Sequence, residues 1–221
     1  MRLILVRHGQ TSSNVAGALD TDEPGADLTE LGRRQAAAVP GALADEDVTA
    51  VYASPLVRTQ QTASPLAEAR GLPVVVRRGL EEVSAGDLEM RTDEEAVLAY
   101  VDLLRSWMHV DRDRRLPGGE DGTSFLARFD AVVADLAEAH GPDDTVVVVS
   151  HGAAIRVWTA VATAMSPEHA AELHVSNTAA AVLQGSPDDG WELVSWTGDP
   201  LGGPELLDLS AHDVTGDDVE D

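Results

Sequence analysis

Blocks of apolar residues, separated by glycine, proline and short polar stretches, divide this chain into alternating strand-like and helix-like segments. Leu3-Ile4-Leu5-Val6 is a continuous apolar run with two β-branched members, the signature of a strand buried on both faces. The residues Gln10 to Gly25 that follow are small and polar and read as a loop. Leu28-Thr29-Glu30-Leu31-Gly32 begins a helix with Thr29 as N-cap, and Pro40-Gly41 is expected to bend or interrupt it before Leu43. Ala50 to Ala53 reads as a second strand, Leu56 to Arg70 as a helix closed by Gly71, and Pro73 to Arg77 as a third strand.

Residues 79–122 break this rhythm with Leu80-Glu81-Glu82-Val83, a helix from about Asp93 to Trp107, a charged stretch from Asp111 to Arg115, and Pro117-Gly118-Gly119. A long connection of this kind is expected to act as a substrate loop. Apolar positions 125, 126, 129, 132, 133, 136 and 137 then recur at helical spacing, with Thr123 or Ser124 as the expected cap. Thr145 to Val149 is a second apolar strand, and a helix runs from Gly152 to about Ala164. Ala179 to Leu183 and Trp191 to Trp196 form a final strand pair around a turn at Ser186 to Gly190. The order predicts an α/β domain over 1–197, with 79–122 as an insertion, followed by an acidic C-terminal tail at 198–221.

Composition narrows the chemistry by what it lacks. The 221 residues contain no cysteine, and all 15 basic residues are arginine. Thiolate nucleophiles and thiolate metal sites are excluded, as are the P-loop lysine and Schiff-base catalysis. No G-x-G-x-x-G dinucleotide fingerprint occurs. The formal net charge of -24 argues against nucleic acid and anionic membrane surfaces as partners. No apolar run approaches the ~20 residues of a membrane helix, so a cytoplasmic location is the expectation. The acidity does not preclude an anionic substrate. Residues 198–221 alone carry eight Asp or Glu, and exposed charges are largely screened beyond roughly 8 Å at physiological salt.

Two strand ends carry the candidate chemistry. The first strand ends in Arg7-His8-Gly9 and the strand at 145–149 ends in Ser150-His151-Gly152. In open α/β sheets ligands bind outside the carboxyl ends of strands. If these strands are parallel neighbours, both imidazoles face one crevice. Arg7 beside His8 disfavours imidazolium and keeps the ring nucleophilic. Arg58, on the first turn of the helix after the second strand, adds a planar donor set suited to phosphate. Histidine and arginine without lysine or cysteine point to phosphoryl transfer through a phosphohistidine.

Five motif blocks, in order, give this reading a family. They are Arg7-His8-Gly9-Gln10-Thr11 with Asn14, Leu28-Thr29-Glu30-Leu31-Gly32 with Gln35-Ala36, and Ser54-Pro55-Leu56-Val57-Arg58-Thr59 with Thr62-Ala63. Leu80-Glu81-Glu82-Val83 with Gly86-Asp87 and Ser150-His151-Gly152 complete the set. Together they resemble the histidine phosphatase superfamily, the phosphoglycerate mutase-like group. The resemblance implies a three-layer α/β/α sandwich around a mixed, mostly parallel sheet, and catalysis without metal or cofactor. It implies that His8 attacks phosphorus, that Arg7, Arg58 and His151 stabilise the transferring group, and that Arg7, Gln10, Asn14, Arg58, His151 and Gly152 contact phosphate. Glu82 matches the family's acid, with Glu81 as its adjacent rival.

Departures from the family pattern bear on substrate. Gly86-Asp87-Leu88-Glu89-Met90 lacks the Trp and second Gly of the common Gly-x-Trp-Glu-Gly segment. Gln10 stands where many members have Glu, and Asp121 where the family's Gly-Gly-Glu-Ser segment has Ser. Thr178 is either near the phosphate, as in relatives, or a strand-entry turn residue. His169, His174, Tyr100 and Trp107-Met108-His109 read as surface or packing groups. The expected activity is a phosphomonoester hydrolase acting on a small phosphorylated substrate. A mutase-type phosphotransferase and a non-catalytic phospho-ligand binder are the alternatives, and homo-oligomerisation is left open.

Overall fold

A computed structural model describes residues 1–109 and 111–208. Its sheet is built from β1 (Arg2–Arg7), β2 (Val48–Ala53), β3 (Val74–Val76), β4 (Thr145–Ser150), β5 (Ala180–Ser186) and β6 (Gly190–Thr197). The strand order is β3-β2-β4-β1-β5-β6. The β1–β4, β2–β4 and β2–β3 pairs are parallel, whereas β1–β5 and β5–β6 are antiparallel. The helices are α1 (Ser12–Ala16), α2 (Glu30–Ala42), α3 (Val57–Arg70), α4 (Glu94–His109), α5 (Gly122–Ala139), α6 (Gly152–Ala162) and α7 (Pro167–Ala171).

The continuous apolar runs of β1 and β4 follow from burial on both sides, because alternate side chains point to opposite faces of a strand. Leu3, Leu5, Val146 and Val148 pack with Tyr100, Phe125, Phe129 and Trp158 of α4, α5 and α6. Ile4, Val6, Val147 and Val149 pack instead with Val39 of α2 and Ala63, Leu66 and Ala67 of α3. The sheet therefore lies between two helical layers, the three-layer α/β/α sandwich expected from the motifs.

Local signals explain most element ends. Thr29 caps α2 by accepting from Gly32 N–H at 3.0 Å, and Gly71 ends α3 at φ 65°. Pro40 does not interrupt α2, which continues to Ala42. Proline deletes one helical donor there, close to a terminus where carbonyls already lack helical partners. The α5 cap is Asp121, which accepts from Ser124 N–H at 2.8 Å, not Thr123 or Ser124. Aspartate thus serves as a helix cap at the family's serine position.

The stretch read as loop from Gln10 to Gly25 contains α1, held by a capping box. Thr11 Oγ1 accepts from Asn14 N–H at 3.2 Å, and Asn14 Oδ1 accepts from Thr11 N–H at 2.9 Å. Residues 198–208 pack back onto the domain: Leu201 N–H donates to the Thr178 carbonyl, and Gln35 Nε2 donates to the Leu206 carbonyl at 2.9 Å. The rest of the expected acidic tail, 209–221, lies outside the described residues.

Candidate active site

The parallel pairing of β1 with β4 sets Arg7 opposite Ser150, so the next residue of each strand, His8 and His151, leaves the sheet at the same edge. Their ring centroids are 5.3 Å apart with planes at 62°. His8 N–H donates to the Ser150 carbonyl at 3.0 Å, which ties the two strand exits together. Against His8 lies a narrow niche of about 20 Å³, lined also by Asn14, Asp20, Thr21, Arg58 and Glu82 among others.

His8 is buried, and its Nδ1 sits 2.8 Å from the Gly9 carbonyl. A carbonyl only accepts, so Nδ1 carries the proton and Nε2 presents the lone pair. Burial holds the His8 pKa well below its ordinary value, and the Arg58 and Arg7 charges reinforce the shift. The ring is therefore neutral at physiological pH. His151 is likewise pushed well below its ordinary value by burial, with Arg58 and His8 adding to the effect. Its Nε2 lies 2.7 Å from Ser54 Oγ, which in turn lies 3.0 Å from Thr59 Oγ1.

Arg58 reaches the niche from the first turn of α3. Its Nη2 donates to the Asp20 carbonyl at 2.7 Å, and Nη1 lies 3.5 Å from Asp20 Oδ1. Arg58 Nε and His151 Nδ1 are buried without a hydrogen-bond partner among the described residues. Unmatched polar atoms are uncommon in folded interiors; Arg58 lines the niche, and the His151 ring lies beside that of His8, which also lines it. Arg7 is wholly buried and donates from Nη1 to the Val175 carbonyl at 2.6 Å.

Glu82 enters from the insertion. Oε1 accepts from Val83 N–H at 2.9 Å and Ala154 N–H at 2.8 Å, while Oε2 accepts from Ala153 N–H at 3.2 Å. The amides of Ala153 and Ala154 belong to the first turn of α6, so a helix N-terminus faces this carboxyl. Burial raises the Glu82 pKa and outweighs the opposing pull of those amides and of Arg58. Its neighbour Glu81 points elsewhere: Oε2 accepts from Gly79 N–H at 2.5 Å. Glu82, not Glu81, lines the niche with His8 and Arg58.

Of the six expected phosphate contacts, Asn14 and Arg58 line the niche, whereas Arg7, Gln10, His151 and Gly152 are not part of its wall. Gln10 is absent from the niche wall, because both ends of its amide are committed elsewhere. Oε1 accepts from Thr29 Oγ1–H and Nε2 donates to Asp208 Oδ2, each at 2.8 Å. Gly152 also stays out of the wall; it begins α6, whose next two amides hold Glu82. Asn14 does line the niche, with Oδ1 accepting from Thr11 and Asn177. Thr178 takes neither expected role alone. It is buried at φ 61°, and its N–H is shared by the Arg7 and His8 carbonyls at 3.1 and 3.3 Å. Tyr100 and Trp107 are core residues, and the Tyr100 hydroxyl donates to the Val83 carbonyl at 2.8 Å.

Glu89, which the Gly86-to-Met90 segment keeps from the family pattern, accepts from Thr21 N–H at 2.9 Å and from Thr21 Oγ1–H at 2.6 Å. One supporting residue escaped the motif reading. Arg128 of α5 donates to the carbonyls of Gly79, Glu81 and Glu82 at 2.9, 2.9 and 2.8 Å. The only sequence signal for Arg128 was a charge among the apolar positions 125, 126, 129 and 132 of its helix. Among the described residues no three or more His, Asp or Glu side chains converge as metal ligands would. No helix among them is long and apolar enough to cross a membrane.

The profile of the histidine phosphatase superfamily, branch 1, matches residues 3–199. A Mycobacterium tuberculosis protein named PE-PGRS family protein is 36% identical over 216 residues, and the chain spans 37% of that protein's length. Phosphoserine phosphatase 1 of Hydrogenobacter thermophilus is 32% identical over 160 residues, covering 71% of this chain and 73% of that one. A probable phosphoglycerate mutase of Yersinia enterocolitica is 29% identical over 217 residues, 96% of this chain and 98% of its own. Among solved structures, a mycobacterial glucosyl-3-phosphoglycerate phosphatase complexed with VO3 superposes with a TM-score of 0.76 at 30% identity, covering 90% of this chain and 99% of that one. Paired strand ends that bring two histidine rings side by side, a three-layer sandwich, and a profile match over nearly the whole described chain lead to one assignment: the chain belongs to the histidine phosphatase superfamily.

Proposed function

We propose that this protein hydrolyses phosphomonoesters through a phosphohistidine at His8. The observation that carries the reading is the convergence of a neutral His8, Arg58 and a buried Glu82 on one niche. The His8 Nε2 lone pair attacks phosphorus while the bond from phosphorus to the ester oxygen breaks. Glu82, whose raised pKa favours the protonated form, passes its proton to the departing alkoxide. Arg58, Arg7 and His151 offset the charge that spreads over the equatorial oxygens. Water then attacks the phosphohistidine, Glu82 takes its proton, and phosphate leaves with His8 neutral again. The insertion 79–122 brings Glu82 to the niche and, in this reading, forms the substrate loop.

Likeness to a probable phosphoglycerate mutase supports a second reading, in which the phosphoryl group returns to a hydroxyl of the intermediate. Phosphate release measured beside 3- to 2-phosphoglycerate interconversion separates the two. Hydrolysis is expected to dominate, with acid-labile label on wild-type protein after substrate quench and none on His8→Ala. A folded His8→Ala variant that retains the wild-type rate overturns the mechanism.

A further inference from the structure

Beside the niche lies a second, much larger cleft of about 880 Å³, bordered by the insertion, α5 and the 21–23 loop. The two share Thr21 and Glu82 as walls. If Glu82 protonates the ester oxygen, the alcohol part of the substrate leaves the niche at Glu82 and occupies this cleft. The volume falls within the range of small-molecule sites, so a hexose-sized group fits.

The charges of the cleft are one-sided. Besides Glu82 it is lined by Asp22, Glu23, Glu81, Glu120 and Asp135. Its only cations among the described residues are Arg78 and Arg128. A guanidinium has five N–H donors, and Arg128 has spent all of them. Nε and one Nη2 proton go to Glu120 at 2.9 and 2.6 Å, the other Nη2 proton to the Glu82 carbonyl, and both Nη1 protons to the carbonyls of Gly79 and Glu81. Its face is taken too, with the guanidinium carbon 4.9 Å from the Phe125 ring centroid. Arg78 forms a fork with Glu23, at 2.6 and 3.2 Å. Asp22 and Asp135, by contrast, have no ion-pair partner among the described residues.

We propose that this cleft selects monoesters whose alcohol is a hydrogen-bond donor with no negative charge, a polyol or amino alcohol, and rejects those that carry a carboxylate. The inference rests on the hydrolase reading above. A carboxylate at the cleft meets several like charges, and Arg78, the one lining cation among the described residues with N–H groups to spare, is already paired with Glu23, whereas hydroxyl or ammonium groups find acceptors in Asp22 and Asp135. Specificity here comes as much from what repels the wrong substrate as from what holds the right one.

Two matched pairs isolate the carboxylate. Glycerol 3-phosphate and 3-phosphoglycerate differ by a hydroxymethyl against a carboxylate, and phosphoethanolamine and phosphoserine differ by the carboxylate alone. Each is measured as a substrate by phosphate release and as a competitor of p-nitrophenyl phosphate hydrolysis, so a constant is obtained whether or not it turns over. Within each pair the carboxylate-free member is expected to be preferred by about tenfold or more at low salt, the preference shrinking as salt screens the cleft. The Asp22→Asn/Asp135→Asn double variant is expected to narrow the ratio within each pair. Equal constants within both pairs, or a preference for the carboxylate member, overturns the inference while leaving the hydrolase reading intact. Folded protein inert towards p-nitrophenyl phosphate removes the hydrolase reading itself, and the inference with it.

Discussion

Replacing Glu82 by glutamine removes a proton and little else. Oε1 of the new amide can keep accepting from Val83 and Ala154 N–H at the 2.9 and 2.8 Å now observed. The one contact that turns unfavourable is the longer bond from Ala153 N–H at 3.2 Å, where an NH2 group would meet a donor. The sheet and both helical layers should therefore survive. The lost function is protonation of the leaving oxygen, for which general acids contribute about 10²–10⁴-fold, or roughly 3–5 kcal/mol of barrier. That whole factor should appear with an alkyl phosphate, whose alkoxide is a poor leaving group. An aryl phosphate such as p-nitrophenyl phosphate needs far less help, and its loss should stay within about tenfold. The assay is kcat/KM by phosphate release for both esters over a pH series. Because burial raises the Glu82 pKa above the usual 4.5, wild-type activity on the alkyl ester should decline as pH rises through that pKa. The variant should lose this basic limb. An equal loss on both esters, or a variant that keeps the limb, would refute the assignment of Glu82 as the acid.

The depressed pKa of His8 sets the other side of the profile: kcat/KM should fall as pH drops through a value below 6.5, and a half-maximum above 6.5 contradicts the neutral-nucleophile argument. Burying His8 and His151 as neutral rings makes stability present above 6.5 and progressively lost as pH falls towards their folded pKa values. Thermal melts should show this, and His8→Asn/His151→Asn should flatten the acid side of the curve. Ser54→Ala removes the group 2.7 Å from His151 Nε2; with that buried nitrogen unmatched, a loss of about 1–3 kcal/mol in stability is expected from chemical unfolding. In Gly32→Ala the new Cβ would lie 2.1 Å from the Gln10 carbonyl oxygen, so activity should collapse although residue 32 lines no part of the niche. Circular dichroism beside phosphate release checks that the fold remains.

The layers of the fold were readable because burial on both faces leaves a mark in composition: Leu3 to Val6 and Val146 to Val149 carry no polar residue. The proposed nucleophile His8, Arg58 and Glu82 were readable because each sits in a short segment with its own turn chemistry. What resisted reading depends on chain returning from far away. No spacing rule could show that the Gln10 amide donates to Asp208, 198 positions distant. Arg128 secures the loop of Glu82 only because the insertion folds back over α5, and periodicity recorded just a charge on an apolar face. Thr11 and Asn14 carried a legible capping box, yet small polar residues around it read more naturally as loop. Asp121 was seen at the family's serine position, and its service as a cap was visible only once α5 was placed.

The contact between Gly9 and Gly32 gives α2 a say in the chemistry. A Cβ on Gly9 would lie 2.6 Å from the Gly32 carbonyl oxygen, and the loop is pinned further by Gly9 N–H to Thr62 Oγ1 at 2.9 Å and Gln10 N–H to Gln35 Oε1 at 2.8 Å. The Gly9 carbonyl held in this way is the one that fixes the proton on His8 Nδ1. A helix that lines no part of the niche thus keeps His8, the proposed nucleophile, in the tautomer that presents its Nε2 lone pair. Catalytic competence becomes a property of helix docking, open to loss through a local opening that leaves the sheet folded. Exchange of the α2 amides with deuterated solvent should then track inactivation more closely than exchange of the β1 and β4 amides.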